Sequence, residues 1–282
     1  MEKLLKYFYS GSIFLLGLIV WCTYSLPDGL IHVYYLNIGQ GDSVLIHTPQ
    51  DQYILVDGGP DDTILNELGA VMPFYQRKID LMIVSHPHAD HINGLVSVLE
   101  RYEVGATIIT GVNYHYAGYD KFLTLIHDKH IPTLFALNTH DYSLGSVVLD
   151  VVYPIHSFQG ASMENLNNSS LVFRLLYGKQ QWYFGGDLEM EGEILLLASG
   201  QNLHAQVYKA SHHGSRTSSA EPLLQAINPQ YAVISCGINN TFHHPHPETI
   251  RKFQKHHITT YRTDLDGRIE MVGDGEKIMV KN

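Results

Sequence analysis

The run Leu81-Met82-Ile83-Val84-Ser85-His86-Pro87-His88-Ala89-Asp90-His91 sets the tightest limit on what this chain can become, because an apolar stretch leads directly into His-x-His-x-Asp-His. Residues 81–85 read as a buried strand. Pro87 has no N–H and cannot extend the ladder, so the histidines are expected in a loop at the strand's end. His86 and His88, two apart, reach one ion from the same side of an extended chain, while Asp90 and His91 turn toward a neighbouring position. Three histidines and an aspartate within six residues, just after a buried strand, are more than a solvated turn needs. The spacing predicts two adjacent divalent ions.

Composition narrows the class. A chain of 282 residues with 45% hydrophobic content can bury a substantial core as one catalytic domain beside an anchor. A formal net charge of −10 argues against a broad basic face that would hold nucleic acid by neutralising phosphates. Bound ions would supply local positive charge instead. Cys22 and Cys236 are the two cysteines; they make no disulfide framework and say nothing about compartment. Residues 7–27 carry no charge and follow Lys3 and Lys6, which gives about the length of a bilayer-crossing helix with its start in the cytoplasm. No small-x-small cleavage site follows this run, and the bulky Trp21 before Cys22 does not suit lipoprotein processing. The expectation is an uncleaved single-pass anchor over residues 1–26 in the cell membrane, with a catalytic domain over residues 31–282 outside the cytoplasm.

Along the chain, residues 31–37, 43–46 and 53–56 read as an antiparallel meander. Helices are predicted over 63–71, 92–102, 119–130, 221–227 and 248–256, and strands over 106–110, 147–152, 206–210 and 231–235. Residues 171–176 and 181–184 form a hairpin around Gly178 and deliver Gly185-Gly186-Asp187. The loop carrying Tyr114, His115 and Tyr116 could line a substrate cleft or be an exposed aromatic loop, and is given no role.

The His-x-His-x-Asp-His motif resembles the signature of the metallo-β-lactamase fold superfamily. Its neighbours come in the order seen in the ComEC family of competence proteins: Asn37-Ile38-Gly39-Gln40-Gly41-Asp42-Ser43, Asp57-Gly58-Gly59, Gly185-Gly186-Asp187, Ser211-His212-His213-Gly214-Ser215, His244-Pro245-His246-Pro247 and Thr263-Asp264-Leu265-Asp266-Gly267. The resemblance covers roughly residues 31–282 and implies an α/β fold, a four-layer αββα sandwich. In the ComEC family this domain is the extracytoplasmic, nuclease-like part of a DNA-uptake channel. The resemblance further implies that Asp57 supports the metal loop from behind. Asp187 is the expected bridging carboxylate, since one oxygen ligand shared by two cations lowers their repulsion. His212 and His213 complete the site. His212, first off its strand, is expected on the metal, and His213 on the substrate. His244, His246 and Asp264 are further candidates at the same edge, and Asp90, His213 and His246 are the residues expected to act in catalysis.

One departure stands out. Many hydrolases of the superfamily have a histidine ahead of the bridging aspartate's strand, where this chain has Asn165-Leu166-Asn167-Asn168-Ser169-Ser170. ComEC-like sequences resemble this Asn-Ser pattern. The first metal position then keeps His86, His88 and Asp187, with Asn168 or water, and the oxygen-rich set leaves Zn²⁺ and Mn²⁺ both open. The implied chemistry is hydrolysis by a metal-bound hydroxide, with DNA or another phosphodiester as the leading substrate and the DNA-uptake machinery as partner. Its rivals are hydrolysis of a lactone, thioester or β-lactam, and an idle binding module. A small rim of Lys209, Ser215 and Arg216 is expected to assist DNA binding.

Overall fold

The structure is a computed structural model, and it describes residues 7, 9, 11–17 and 27–281. Most of the expected anchor therefore lies outside the described residues. Residues 11–17 are helical and expose Ile13, Phe14, Leu15 and Leu16. Among the described residues no helix is long and apolar enough to cross a membrane.

The first half runs β1 (Ile31–Tyr35), β2 (Val44–His47), β3 (Tyr53–Val56), α1 (Thr63–Val71), β4 (Lys78–Ile79), β5 (Leu81–Ile83), α2 (Ala89–Arg101), β6 (Glu103–Val104), β7 (Thr107–Ile109), α3 (Ala117–Asp128), β8 (Thr133–Phe135), β9 (Asp141–Leu144) and β10 (Val147–Tyr153). The second half runs β11 (Val172–Tyr177), β12 (Gln180–Phe184), α4 (Met190–Ala198), β13 (Val207–Lys209), α5 (Glu221–Ile227), β14 (Tyr231–Ile234), α6 (Pro247–Lys255), β15 (Thr259–Arg262), α7 (Thr263–Asp266), β16 (Ile269–Gly273) and β17 (Ile278–Lys281).

These strands form an eight-stranded sheet in the order β17-β16-β1-β2-β3-β5-β7-β8 and a seven-stranded sheet in the order β15-β14-β13-β12-β11-β10-β9, while β4 and β6 make a short separate pair. Each large sheet is half antiparallel and half parallel: β3, β5, β7 and β8 run parallel in the first, and β12 to β15 in the second. The carboxyl ends of parallel strands fall on one edge, where their loops gather.

Alternation explains the layering. Ile31, Val33 and Tyr35 of β1 point into a core shared with Val147, Leu149, Val151, Trp182 and Phe184 of the second sheet, so this core lies between the two sheets. The outer face of the first sheet is covered by α1, α2 and α3 through Leu68, Leu95 and Phe122 against Leu55 and Met82. The outer face of the second is covered by α4, α5 and α6 through Leu196, Leu224 and Phe253 against Tyr183 and Tyr208. Three apolar cores separating four layers make the αββα sandwich.

Two local differences from the sequence expectation matter for the site. The metal strand ends at Ile83 rather than Ser85, because the Ser85 amide donates to Asp57 Oδ1 at 2.8 Å instead of to a neighbouring strand. The following helix begins at Ala89, not Ile92, with His88 at its N-cap, so Asp90 and His91 sit in its first turn rather than in a loop. That turn is pinned. Gly58 N–H donates to His91 O at 2.8 Å and Gly94 N–H to Gly59 O at 3.0 Å. A Cβ on Gly94 would lie 1.9 Å from the Gly58 carbonyl oxygen, so only glycine allows this approach.

Candidate metal centre

Both sheets feed one edge. Asp57 follows β3 and His86, His88, Asp90 and His91 follow β5 in the first sheet, whereas Asp187 follows β12 and His212 and His213 follow β13 in the second. His86 Nε2 lies 2.9 Å from His88 Nδ1 and 3.8 Å from Asp187 Oδ2. Two imidazole nitrogens facing one another at that distance beside a carboxylate describe the expected first position.

The second position is built from two buried histidines, each oriented by a carboxylate behind it. His91 Nδ1 lies 2.8 Å from Asp57 Oδ2, and His213 Nδ1 lies 3.1 Å from both Asp42 Oδ1 and the Ser235 carbonyl. Their Nε2 atoms therefore turn inward. Each is 3.4 Å from Asp187 Oδ2, and His213 Nε2 is also 3.3 Å from Asp90 Oδ2.

This arrangement fits divalent ions on grounds of its own. His91 Nε2, His213 Nε2 and Asp187 Oδ1 are buried without a hydrogen-bond partner, and such groups are costly unless something satisfies them. The donors of His86, His91 and Asp187 lie within 4.8 Å of one another, as do those of Asp90, His91 and His213. The set is nitrogen and oxygen only, which suits Zn²⁺ or Mn²⁺.

The electrostatics agree. Burial alone would push His91 and His213 down, but Asp187 and the carboxylates behind them hold both imidazoles well above their ordinary range. Burial would likewise raise Asp187, yet His213 and His91 hold it well below the carboxylate range. Where burial meets no carboxylate as close, it wins: His86 falls well below its ordinary value through desolvation, aided by His91. The pocket thus attracts positive charge into its centre.

His212 and His213 exchange the places expected of them. His213 is 2% exposed with its inward nitrogen against Asp90 and Asp187. His212 is half-buried, 3.9 Å from Asp187 Oδ2 through Nε2, and turned by Glu189 Oε1 at 3.1 Å from its Nδ1. The cause is backbone: both residues adopt the left-handed conformation, at φ 50° and 52°, and this tight turn sends the second side chain inward and leaves the first at the cleft wall.

Asn168 does not face the first metal position. Its amide donates to Glu191 Oε2 at 2.8 Å and accepts from Glu189 N–H at 3.0 Å, bracing the loop after Asp187. Asn167 lines the cleft instead, and its buried Oδ1 has no partner. His246 sits at the N-cap of α6, donates its backbone N–H to Gly214 O at 2.9 Å and has its ring 6.4 Å from that of His244, so it is placed behind the site rather than in it. Asp264 accepts from Arg262 and Cys236 and has no contact with the ligand set. Lys209 is no rim residue: it is 2% exposed and bonded to Asp42 at 2.7 Å. Ser215 is also buried, and Arg216 alone of that trio is exposed.

Sequence reasoning missed Asp42 and Glu189. Asp42 stands in the Gly39-Gln40-Gly41-Asp42 run, but only its position behind His213 gives it a role. Glu189 lies two residues past Asp187 and carries no local signal. His88, Asp90, Asp187 and His213 open onto a cavity of about 170 Å³ whose other walls are Gln40, Asn167, His212, Phe242 and His244. A cavity of this size beside an ion-ready donor set admits one reacting group, not a whole polymer.

Known proteins resemble the chain in sequence and in fold. It is 30% identical over 254 residues to ComE operon protein 3 of Bacillus subtilis (strain 168), covering 83% of this chain and 32% of that one. It is 28% identical over 263 residues to Competence protein ComA of Neisseria gonorrhoeae, covering 91% of this chain and 34% of that one. The chain thus spans about a third of the length of these relatives. Among solved structures, the metallo-beta-lactamase fold protein YhfI from Bacillus subtilis superposes with a TM-score of 0.58 at 13% identity, covering 83% of this chain and 96% of that one. The profile of the Metallo-beta-lactamase superfamily matches residues 36–238, the span that supplies every inward-facing donor, and the chain belongs to that superfamily.

Proposed function

We propose that this metal-dependent hydrolase of the metallo-beta-lactamase superfamily cleaves phosphodiester bonds, with DNA as the leading substrate. The observation that carries the reading is the inward-facing donor set of His86, His91, Asp187 and His213, all buried, with the half-buried His88 and Asp90, opening on a small cleft, in a chain similar to proteins named for competence. A pair of divalent ions bound there supplies Lewis-acid polarisation of the scissile group and an activated water at neutral pH. Asp57 and Asp42 fix the tautomers of His91 and His213. His212, turned by Glu189 and reaching the cleft wall, donates to the developing negative charge.

The negative net charge shapes the binding expected. With Lys209 committed to Asp42 and a net charge of −10, affinity is expected to depend on the metal centre and to fall only gently with salt. Purified chain loaded with Mn²⁺ or Zn²⁺ is tested on single-stranded DNA, a small phosphodiester, a β-lactam, a lactone and a thioester, with the His86→Ala/His88→Ala double variant as control. Metal-dependent cleavage of DNA that the double variant lacks supports the reading. Turnover of a lactone, thioester or β-lactam without DNA cleavage replaces it with the other hydrolase class, and failure to turn over anything at full metal content leaves a binding module.

The same proposal places the domain outside the cytoplasm on an N-terminal anchor, supported by the uncharged run of residues 7–27 behind Lys3 and Lys6. Protease added to intact cells should digest the body. Protection in intact cells with cleavage after lysis would reverse this topology.

A further inference from the structure

A second cavity is separate from the metal cleft. It measures about 780 Å³ and lies between α3 and the edge strand β8. Tyr119, Leu123 and Ile126 line it from successive turns of one face of α3, and His130 lines it just past the helix end, so the groove follows the helix along its length. Phe135 walls the opposite side and is exposed. Gly111, at φ +73°, lets the chain pass close by: a Cβ there would sit 2.7 Å from the Phe135 ring.

Three features say what the groove takes. One end reaches the metal edge, where the Tyr114 ring lies 6.5 Å from His88 and 5.8 Å from Tyr116. Its walls contain no Lys, Arg, Asp or Glu, and of their three histidines His115 and His127 are bonded to Asp120 and Asp128, so the groove offers a ligand no fixed charge. Asn113 and Gln159 nevertheless offer donors and acceptors beside the aromatic rings. A plain hydrocarbon chain has no use for those groups. A flat ring with a hydrogen-bonding edge uses both.

We infer that this groove is a stacking subsite for the bases of a single-stranded polynucleotide whose phosphate is presented to the metal edge beside Tyr114; the inference rests on the phosphodiesterase reading above. Stacking on aromatic faces tolerates any base, and with the phosphate left to the metal edge the groove itself needs no basic lining, which suits a chain with a net charge of −10. A double strand keeps its bases paired and stacked inside, so the groove selects single strands.

The test uses the full chain loaded with Zn²⁺ and a nuclease-resistant phosphorothioate oligonucleotide carrying 2-aminopurine, whose fluorescence falls on stacking, compared with the same strand made abasic at that position. The expected result is quenching on binding and an affinity loss of roughly tenfold for the abasic strand, in keeping with the energy of one stacked base. Phe135→Ala, remote from the metal donors, and Tyr114→Ala should each remove most of that difference, while circular dichroism shows both folded. Equal binding of the base-bearing and abasic strands would overturn the inference, as would an unchanged difference in both variants, or an acyl chain or apolar peptide occupying the groove without displacing the oligonucleotide. Cleavage of an abasic strand by metal-loaded chain at the parent rate defeats the subsite and leaves the phosphodiesterase reading standing. Base-dependent binding without cleavage of any phosphodiester does the reverse.

Discussion

His213 Nδ1 lies 3.1 Å from Asp42 Oδ1, across 171 residues of sequence, and that contact orients the one of two neighbouring histidines that faces inward. Asp42 also holds Lys209, 2.7 Å away and 2% exposed. The carboxylate therefore fixes a ligand and neutralises a buried cation at once. Asp42→Ala is expected to lower metal affinity by about 10- to 100-fold and to destabilise the fold by roughly 3–5 kcal/mol, because Lys209 is left buried and unpaired. Adding Lys209→Met should recover much of the stability and none of the metal affinity. Equilibrium unfolding and metal titration of both variants check this.

Asp187 serves ions more than the core. Its Oδ1 has no protein partner and its Oδ2 faces four histidines. Asp187→Ala should abolish hydrolysis, reduce bound metal and leave far-UV circular dichroism unchanged. An inactive variant with full metal content would remove its assigned bridging place.

The His212–His213 pair can be separated by counting ions. His213→Ala should lose about one equivalent of metal, read by elemental analysis after dialysis, because its Nε2 is an inward donor. His212→Ala should keep its metal and lose turnover by roughly 10²-fold, as expected for removal of one donor to developing charge. Reversed metal contents would restore the order expected from sequence.

Glu193, in α4, is held by burial at about 7, above its ordinary 4.5, although Ala220 and Ser219 amides donate to it. A carboxyl raised on folding binds its proton more tightly in the native state. Its stabilisation is fully present below pH 4.5 and is lost as pH rises to about 7, an effect on the order of 3 kcal/mol. Glu193→Gln should flatten stability between those values. It should also lower stability throughout, since an amide N–H replaces an oxygen facing one of the two backbone donors. Chemical denaturation at a series of pH values reads both effects.

Much of the architecture is written locally. Ile31, Val33 and Tyr35 alternate, so β1 declares its buried face, and the meander from β1 to β3 follows from the turns between short apolar runs. The six-residue ligand cluster is likewise local, and so are the glycines leading into Asp187. What could not be read depends on long-range geometry or on backbone angles. No spacing rule joins Asp42 to His213, or Glu189 to His212. Adjacent histidines with the same side chain differ only because both occupy left-handed φ values, which a sequence without glycine there does not announce. Lys209 looked like a rim cation because charge suggests exposure, and Asp42 reverses that. Asn167 and Asn168 both bond Glu189, and they differ in that Asn168 Oδ1 accepts its backbone N–H while Asn167 Oδ1 is left without a partner beside the cleft.

The split origin of the donors has a thermodynamic consequence. His86, His88, Asp90 and His91 ride on one sheet, Asp187 and His213 on the other, so any ion they share is a clasp between the two halves of the sandwich. An ion that binds only the closed arrangement draws the folding equilibrium with it, by about 2.7 kcal/mol at a hundredfold excess over its Kd. Melting temperature then becomes a meter of free metal. Chelation loosens the edge that carries the site before it unfolds the rest, and the same cations that activate water also set how firmly the two sheets are held together.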